Sequence, residues 1–261
     1  MIDLHCHVLP GLDDGPPDLD GSLALARHAA AAGIETIVAT PHIREDHPFA
    51  PSLIPERVAE VNAAVASGGS ALRVVAGGEI AITRVGDLDD ETLGALCLGE
   101  GRYALVETPY TSVGELLEET LFDLQTRNVR PVLAHPERSP SFIGDADRLA
   151  ELVERGILCS VTAASLAGQF GSTVRAFSIE LYERGLVHNV ASDAHDATRR
   201  PPELRPAFES LEQDLPGVLG QLGWYTLHAP RAMLAGVDLP ERPEPIARPR
   251  GVGRFLRRRR G

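Results

Sequence analysis

The alternation of short apolar segments with helical patterns is the feature that most restricts the fold of this chain. Seven runs have the character of β-strands, and most are apolar along their whole length, as strands buried on both faces are. Between them lie stretches with helical spacing, several of which end at a glycine. The predicted strands cover residues 2–5, 36–40, 73–79, 103–107, 131–135, 157–161 and 187–191, and the predicted helices cover 22–32, 55–66, 113–127, 147–155, 173–184, 203–214 and 229–234.

This alternation favours a parallel sheet with crossover helices, which is the arrangement of α/β folds. The periodicity is compatible both with an open, doubly wound sheet and with a closed barrel. The position of polar residues helps to distinguish them, because barrels carry their chemistry at the carboxyl ends of many different strands.

Metal-type side chains follow six of the seven predicted strands. The first strand presents His5 and His7, and residues i and i+2 of an extended chain point to the same side. Charged side chains seldom follow buried apolar runs unless they have partners. The candidate metal ligands are His5, His7, Asp14, His42, Glu79, Glu107, His135, Asp193 and His195.

Nine candidate ligands are too many for one tetrahedral ion, which takes about four. The number suits about two or three ions, with a carboxylate such as Glu107 bridging between them. Imidazole and carboxylate ligands without thiolate favour Mn, Fe or Zn over Ca or Mg. Close pairs of cations lower the pKa of a shared water and stabilise both the attacking and the leaving oxygen. The predicted chemistry is therefore hydrolytic.

Arginines near the predicted centre indicate that the substrate is a phosphate ester. Arg138 follows His135 by three residues, and Arg199 and Arg200 follow His195. Guanidinium groups match phosphate oxygens in bidentate geometry. Loop arginines are also common as plain surface residues, and the sequence leaves that alternative open for Arg138 and Arg200.

Cysteine usage excludes a thiolate phosphatase. Cys6, Cys97 and Cys159 are too few and too scattered for a disulfide framework, which favours a cytosolic protein. None of them is followed six residues later by arginine, so the Cys-x5-Arg loop of such enzymes is absent. No apolar run approaches the roughly 20 residues that a spanning helix needs, and no secretory signal is visible. We therefore expect a cytoplasmic protein.

Charge divides the chain into two parts. The net charge is −12, but residues 241–261 hold eight arginines against two glutamates, or +6, which leaves −18 on residues 1–240. A body this acidic is a poor general nucleic-acid binder. We predict a catalytic domain over 1–240 and a disordered tail rich in Arg and Pro over 241–261. The tail is either solvated or in contact with an anionic membrane surface or an acidic partner.

Six motifs at these strand ends resemble the polymerase-and-histidinol-phosphatase (PHP) superfamily, and within it the CpsB/YwqE type of bacterial protein-tyrosine phosphatase. The likeness spans about residues 1–236 and also includes the segment 165–171, but it does not extend to the Arg-rich tail. One departure is Ile43, where relatives often have another histidine, and the expected substrate-side loop 43–51 looks divergent. The motifs are Ile-Asp-Leu-His-Cys-His at 2–7, Asp-Asp-Gly at 13–15, Ala-Thr-Pro-His at 39–42, Gly-Glu-Ile at 78–80, Ala-His-Pro-Glu-Arg at 134–138 and Ala-Ser-Asp-Ala-His at 191–195.

The resemblance implies a distorted seven-stranded (β/α)7 barrel of the TIM-like PHP type. It also implies three metal ions, often manganese, and a metal-activated water that attacks phosphotyrosine. Arg138 and Arg200 would bind the phosphate, and the usual substrate is the tyrosine-rich tail of a kinase of capsule or exopolysaccharide assembly. The implied ligand sets are His5, His7, Glu107 and Asp193 for one ion, Glu79, Glu107 and His135 for a second, and Asp14, His42 and His195 for a third.

We therefore expect a metal-dependent protein-tyrosine phosphatase with two to three divalent ions, Mn first and Fe or Zn as alternatives. A second hypothesis is a PHP phosphatase or phosphodiesterase that acts on a small metabolite such as histidinol phosphate. A third is a metal-loaded regulatory module that binds a phosphorylated protein with little turnover. The complete ligand set argues against the third hypothesis, because binding alone needs fewer of these groups.

Overall fold

The computed structural model describes residues 1–108 and 116–248, and strands and helices alternate along that part of the chain. The strands are β1 (Ile2–Cys6), β2 (Thr36–Ala39), β3 (His42–Ile43), β4 (Arg73–Ala76), β5 (Glu79–Ala81), β6 (Tyr103–Glu107), β7 (Arg130–Ala134), β8 (Leu158–Thr162) and β9 (Asn189–Ala191). The helices are α1 (Leu19–Ala31), α2 (Ile54–Ser67), α3 (Asp90–Ala95), α4 (Leu116–Thr126), α5 (Ala146–Glu154), α6 (Ala163–Leu166), α7 (Ser172–Glu183), α8 (Arg205–Leu211) and α9 (Ala229–Leu234).

The strands pair in parallel and form two sheets. One has the order β1-β2-β4, and the other has the order β3-β5-β6-β7-β8-β9. The chain after β9 returns to β1, where Asp193 N donates to His5 O and His7 N donates to Ala194 O, each over 2.8 Å. The predicted parallel α/β architecture is therefore confirmed. The strands pair in two sheets, and the distorted seven-stranded barrel that the family resemblance implies stays a prediction.

One predicted strand, 73–79, is divided into β4 and β5, and the predicted strand 36–40 is followed by the short additional strand β3, which separates the two sheets. Gly77 and Gly78 interrupt the third predicted strand, so that β4 pairs with β2 while β5 pairs with β3 and β6. A Cβ at Gly77 would lie 2.8 Å from Val38 Cγ1, and one at Gly78 would lie 2.8 Å from Leu96 Cδ2, so both positions exclude a side chain. Pro41 separates β2 from β3, because proline has no N–H to continue the ladder.

A bulge in β1 decides which side chains face the centre of the molecule. The register of β1 against β2 shifts between Asp3 and Cys6. Leu4 packs in an apolar cluster inside the sheets, while His5, the next residue, lies 3.3 Å from Glu79. Neighbouring residues of a regular strand point to opposite faces. The bulge therefore allows an apolar residue and a polar one to face inward in succession.

The apolar core has one part inside the sheets and one part between the sheets and the helices. The inner part joins Leu4 to side chains of β2, β6 and β7 and includes Met233 of α9. Met233 O approaches Gly101, just before β6, so α9 covers the amino ends of the strands. The carboxyl ends lie on the opposite side, where the polar residues that follow the strands are found.

Residues 241–248 form the first part of the predicted tail. This segment, here called the C-terminal strap, follows the surface of the body. Trp224 Nε1 donates to Glu241 O over 2.9 Å, and Gln221 Nε2 donates to Glu244 O over 2.8 Å. Arg248 at its end forms an ion pair of 2.6 Å with Glu183. The composition of the strap indicated disorder, but these contacts hold it against the body. Residues 249–261 of the predicted tail lie outside the described residues.

The helix boundaries agree with the prediction to within a few residues. α1 begins earlier than expected, because the side chain of Asp18 caps it by accepting from Gly21 N over 2.9 Å. The predicted start of the helix 113–127 lies outside the described residues, and α4 is described from Leu116 onward. Within the ranges 1–108 and 116–248, no helix has the length and apolar character that crossing a membrane requires.

Candidate metal centre

All nine predicted ligands lie together at the carboxyl ends of the strands. Eight of them are buried, with exposed fractions of 6% or less. Asp14 is the exception, and its side chain is 50% exposed at the rim. Because the strands are parallel, their carboxyl ends meet at one edge, and the ligands that lie at or near these ends come together in one place.

Eight of the nine side chains form overlapping groups, and within each group the ligand atoms lie within 4.8 Å of one another. The groups are His7 with Asp14, His42 and His195; His5 with His7 and Asp193; and His42 with Glu79 and Glu107. Glu107 thus lies with His42 and Glu79. The family resemblance implied that Glu107 joins Glu79 and His135 in one ligand set and His5, His7 and Asp193 in another. His135 contacts the same centre through Glu79.

Glu79 occupies the middle of this arrangement. Its Oε2 lies 2.8 Å from His42 Nδ1, 3.3 Å from His5 Nε2 and 3.5 Å from His7 Nε2. Its Oε1 lies 2.9 Å from His135 Nε2. Burial alone would raise the pKa of Glu79, but His5 and the other surrounding imidazoles lower it well below its usual value. Glu79 is therefore a carboxylate in the folded protein, and it is placed to interact with more than one cation.

Several close contacts in the centre lack hydrogen-bond geometry. His42 Nδ1 and Glu79 Oε2 are both buried without a hydrogen-bond partner, although they lie 2.8 Å apart. His195 Nε2 is also without one, at 3.1 Å from Asp14 Oδ1. Native structures rarely leave buried polar atoms unsatisfied, and bound ions are one recognised reason for it. The donor set of imidazole and carboxylate groups therefore fits divalent metal ions.

Asp13 orients two of the candidate ligands, although the sequence had indicated it only as part of the Asp-Asp-Gly motif. Its Oδ2 lies 2.6 Å from His7 Nδ1 and accepts from His42 N over 3.0 Å. Burial would raise the pKa of Asp13, but His7 lowers it to about 2. Such a carboxylate fixes the orientation of a ligating imidazole. Its signal in the sequence is the doubled acid before Gly15, where a Cβ would lie 2.4 Å from His7 O.

Two ligands have backbone conformations that are rare for residues other than glycine. His135 has φ 35° and Asp193 has φ 54°, both in the left-handed region. Such conformations persist only where the surrounding structure imposes them, and they are frequent at functional sites. Asp3, a buried acid that was not among the candidate ligands, stabilises the second one. Its carboxylate accepts from the backbone N–H of Ser192 over 2.9 Å and ties β1 to the chain after β9.

Both predicted phosphate-binding arginines reach the centre. Arg138 Nη1 and Arg200 Nη2 each lie 2.6 Å from Asp193 Oδ2. The Arg138 guanidinium also lies 4.4 Å from the centroid of the Phe170 ring, which restricts its orientation. Arg199 differs, because its side chain is 88% exposed and pairs with Asp196 on the surface.

A third guanidinium at the rim was not singled out by the sequence analysis. Arg44 Nη1 lies 3.3 Å from Glu107 Oε2, and its Nη2 lies 2.8 Å from Asp46. Burial would lower the pKa of Arg44, but Asp46 and Glu107 raise it, so the side chain stays charged. Its only signal in the sequence was its position in the divergent loop 43–51.

The three cysteines are poorly suited to act as nucleophiles. Cys6, Cys97 and Cys159 are free and buried. Burial raises the pKa of the Cys97 thiol to about 11 and that of Cys159 further. A thiol with a raised pKa is a poor nucleophile at neutral pH. The burial of the three thiols thus agrees with the sequence, which also argues against a catalytic thiolate.

Comparisons with known proteins identify close relatives. A family model described as capsular polysaccharide synthesis, CpsB/CapC, matches residues 1–217. The tyrosine-protein phosphatase YwqE of Bacillus subtilis is 35% identical over 98% of this chain and 100% of its own length. The tyrosine-protein phosphatase CpsB of Streptococcus pneumoniae is 28% identical over 81% of this chain and 89% of its own.

Solved structures agree with these relationships. A structure from work on YwqE of Bacillus subtilis and CpsB of Streptococcus pneumoniae, described as unique metal-dependent tyrosine phosphatases, matches with a TM-score of 0.83 and 35% identity. The match covers 95% of this chain and 100% of that one. A β-aspartyl dipeptidase of Fervidobacterium islandicum is similar in fold alone, with a TM-score of 0.56 and 18% identity over 89% of this chain and 72% of its own.

Proposed function

This chain belongs to the CpsB/CapC family of capsular polysaccharide synthesis, and from that premise we propose that it is a metal-dependent protein-tyrosine phosphatase. The motif resemblance is confirmed at the level of the family. One observation carries the activity: two guanidinium groups, Arg138 and Arg200, converge on one oxygen of Asp193 beside a buried set of imidazole and carboxylate ligands. Such a site combines anion recognition with the ligands of a hydrolytic metal centre.

We propose that the centre holds two to three divalent ions, with Mn first and Fe or Zn as alternatives. His5, His7 and Asp193 would contribute to one site, Glu79 and Glu107 to a second, and Asp14 with His195 to a third. His42 and His135 complete the donor set. When bound, the ions would lower the pKa of water and neutralise charge on the phosphate oxygens.

The side chains around the ligands have distinct roles in this proposal. Arg138 and Arg200 bind the phosphate, because their guanidinium donors face the oxygen-rich centre and match phosphate geometry. Asp13 keeps His7 in one orientation through its 2.6 Å contact. Glu107, which Arg44 contacts, is the catalytic carboxylate nearest the loop 43–51. Each of these roles depends on the fold, which brings the ligands and the arginines together.

The biological substrate that we propose is a phosphotyrosine protein of capsule or exopolysaccharide assembly, namely the tyrosine-rich tail of a bacterial tyrosine kinase. The family description and the names of the relatives support this context. The same relationship supports an interpretation of the two sheets as a distorted β/α barrel. Free cysteines at all three positions support a cytoplasmic location.

A turnover assay on three substrates tests the proposed function. Phosphotyrosine peptide, histidinol phosphate and a nucleotide diester would be compared with the same enzyme preparation and the same metal. We expect rapid release of phosphate from the peptide and little from the other two. Cleavage of only the small metabolite would replace this proposal with a metabolite phosphatase, and tight binding of the peptide without turnover would indicate a regulatory binding module.

We further propose that the Arg-rich tail contacts an anionic membrane surface. The support lies in the sequence, since residues 257–260 are four consecutive arginines, and each basic residue near a charged leaflet adds on the order of 1 kcal/mol. The full chain should sediment with vesicles that contain phosphatidylserine and not with neutral vesicles. A chain that ends at residue 248 should lose this binding, and equal binding by both chains would contradict the proposal.

A further inference from the structure

A cavity of about 700 Å³ lies beside the metal centre. Its walls come from the loop 43–51, from the turn at Ile82–Asp87 and from Thr92 of α3. These segments follow β3 and β5, so the cavity opens at the carboxyl ends of the strands, on the same side as the ligands.

Two side chains of the wall also contact the metal ligands. Arg44 lines the cavity and lies 3.3 Å from Glu107 Oε2. His47 lines it as well, and its ring stacks on that of His42, with centroids 5.5 Å apart and an angle of 15° between planes. A phosphorylated residue at the metal centre would therefore have its neighbours in the substrate chain next to this cavity.

The wall combines apolar surface with a guanidinium whose donors are incompletely used. Phe49, Pro48 and Leu88 supply the apolar part. The charged residues of the wall are Arg44, the exposed Glu45 and Arg84, and the Arg84 Nε is buried without a hydrogen-bond partner. The Arg84 ion pair with Asp87 is 3.3 Å long, and the Asp87 side chain is 63% exposed to competing water. This ion pair is formed by the same Nε and lacks hydrogen-bond geometry. An Arg that is held only by such an ion pair with an exposed acid, in a partly apolar cavity, favours a carboxylate ligand.

We propose that this cavity binds the part of the substrate peptide next to the phosphotyrosine, and that Arg84 selects an acidic side chain there. The inference rests on the proposed phosphatase activity and adds a preference in the sequence of the substrate. Phe49 and Leu88 pack against the aliphatic part of that side chain, while its carboxylate accepts hydrogen bonds from Arg84. Arg44 already donates hydrogen bonds to Asp46 and Glu107. Arg84 is therefore the residue that recognises the acidic side chain of the substrate.

Matched phosphotyrosine peptides test the preference. One set carries a single Glu, moved through the flanking positions in turn, and a second set carries Gln at the same positions. We expect kcat/KM to favour Glu over Gln by about fivefold at one or two adjacent positions, which is the range of a partly exposed charge pair. The Arg84→Gln variant should lose this preference and hydrolyse both sets equally.

The controls separate this inference from the proposed function. Arg155→Gln changes an exposed arginine that follows α5, at the amino-end side of the strands, and it should keep the wild-type preference. Free phosphotyrosine has no flanking residues, so wild type and Arg84→Gln should hydrolyse it at the same rate, which also reports correct folding. No Glu preference in the wild type, or a preference that Arg84→Gln retains, would overturn the inference. Failure of the wild type to hydrolyse any phosphotyrosine would overturn the proposed function instead.

Discussion

At the scale of single residues, Asp193 contacts both a candidate metal ligand and the two arginines that we propose bind phosphate. One of its oxygens lies 3.4 Å from His5 Nε2, and the other is shared by Arg138 and Arg200 at 2.6 Å. Burial would raise the pKa of Asp193, but the surrounding charges, led by His5, hold it well below its usual value. Both arginines therefore stay oriented toward the ligands by an acid that is ionised throughout the physiological range.

Arg200 and Arg199 form a matched pair for mutation. Arg200→Ala should lower kcat/KM on phosphotyrosine peptides on the order of 100-fold, because a charged donor facing the phosphate contributes a few kcal/mol to the transition state. Arg199→Ala should change it less than about twofold, since that side chain is 88% exposed. Steady-state kinetics on both variants provide the measurement. If both variants lost kcat/KM equally, the role assigned to Arg200 would be wrong.

His188 should make stability depend on pH, and it lies apart from the metal centre. Its Nδ1 accepts a hydrogen bond from Cys159 N over 3.2 Å. Burial, assisted by the charge of Arg242, lowers its pKa to about 3. The unfolded chain binds a proton at this residue below about pH 6.5, whereas the folded chain does not until the pH approaches 3.

The free energy of unfolding should therefore fall as the pH decreases from 6.5. Between pH 6.5 and pH 5, His188 should account for a loss of about 2 kcal/mol, and the contribution is fully present above pH 6.5. Urea denaturation at each pH, with chelator present, provides the measurement. His188→Asn keeps a possible acceptor without a titrating group, so its unfolding free energy should decline less steeply. An unchanged slope would contradict the assignment.

At the scale of secondary-structure elements, the C-terminal strap connects segments of the body that are separate in the sequence. It links the loop after α7, where Arg242 donates to Gly185 O, to the turns at Val218–Gln221 and Trp224–His228. Ile246 packs against the core next to Gly217. The strap has no secondary structure of its own, so its order depends on these side-chain and backbone partners.

Truncation at two positions tests the strap. A chain that ends at residue 240 loses the contacts to Trp224, Gln221 and Glu183 and should unfold with about 2–4 kcal/mol less free energy, at about 1 kcal/mol per hydrogen bond plus the exposed apolar surface. A chain that ends at residue 248 keeps these contacts and should unfold like the full chain. Thermal and urea denaturation compare the three chains. Equal stability of all three would mean that the strap contributes nothing.

At the scale of the whole molecule, the two ends of the sheets have opposite functions. The amino ends are covered by α9 and closed by apolar packing around Met233. The carboxyl ends carry the ligands, the arginines and the cavity. This separation allows the apolar core to stabilise the fold while the polar groups, which cost stability when buried unpaired, are concentrated where ions can bind.

Removal of metal should abolish activity and reduce stability together. Exhaustive chelation should eliminate phosphotyrosine hydrolysis, and Mn²⁺ should restore it. Ions that bind only the folded chain should raise the unfolding free energy by about 2.7 kcal/mol at a hundred times their Kd. Thiol alkylation should have little effect, because the three cysteines are buried. Activity that survives chelation would disprove the metal mechanism.

Much of the site was predictable from the sequence because parallel strands impose their geometry on whatever follows them. Most of the ligands lie at or just after the end of a predicted apolar strand, and such residues reach the same edge of a parallel sheet. The two consecutive aspartates before Gly15 also drew attention to Asp13. Only its contact with His7 in the structure identifies its role. The pairing of ligands could not be predicted, because it depends on distances between strands that are far apart in the sequence.

The sequence by itself determined the parallel α/β architecture, the set of residues at the metal centre and the exclusion of thiolate chemistry. These follow from local periodicity and residue type. Only the tertiary structure decided that Glu79 lies between the ligand groups, that the strands divide at Gly77 and Gly78, and that Arg44 and Arg84 border a cavity beside the centre. The physical reason is that bulges, left-handed residues and close backbone contacts displace side chains by a few ångströms. Local sequence patterns do not encode such shifts, and metal coordination and substrate recognition depend on them.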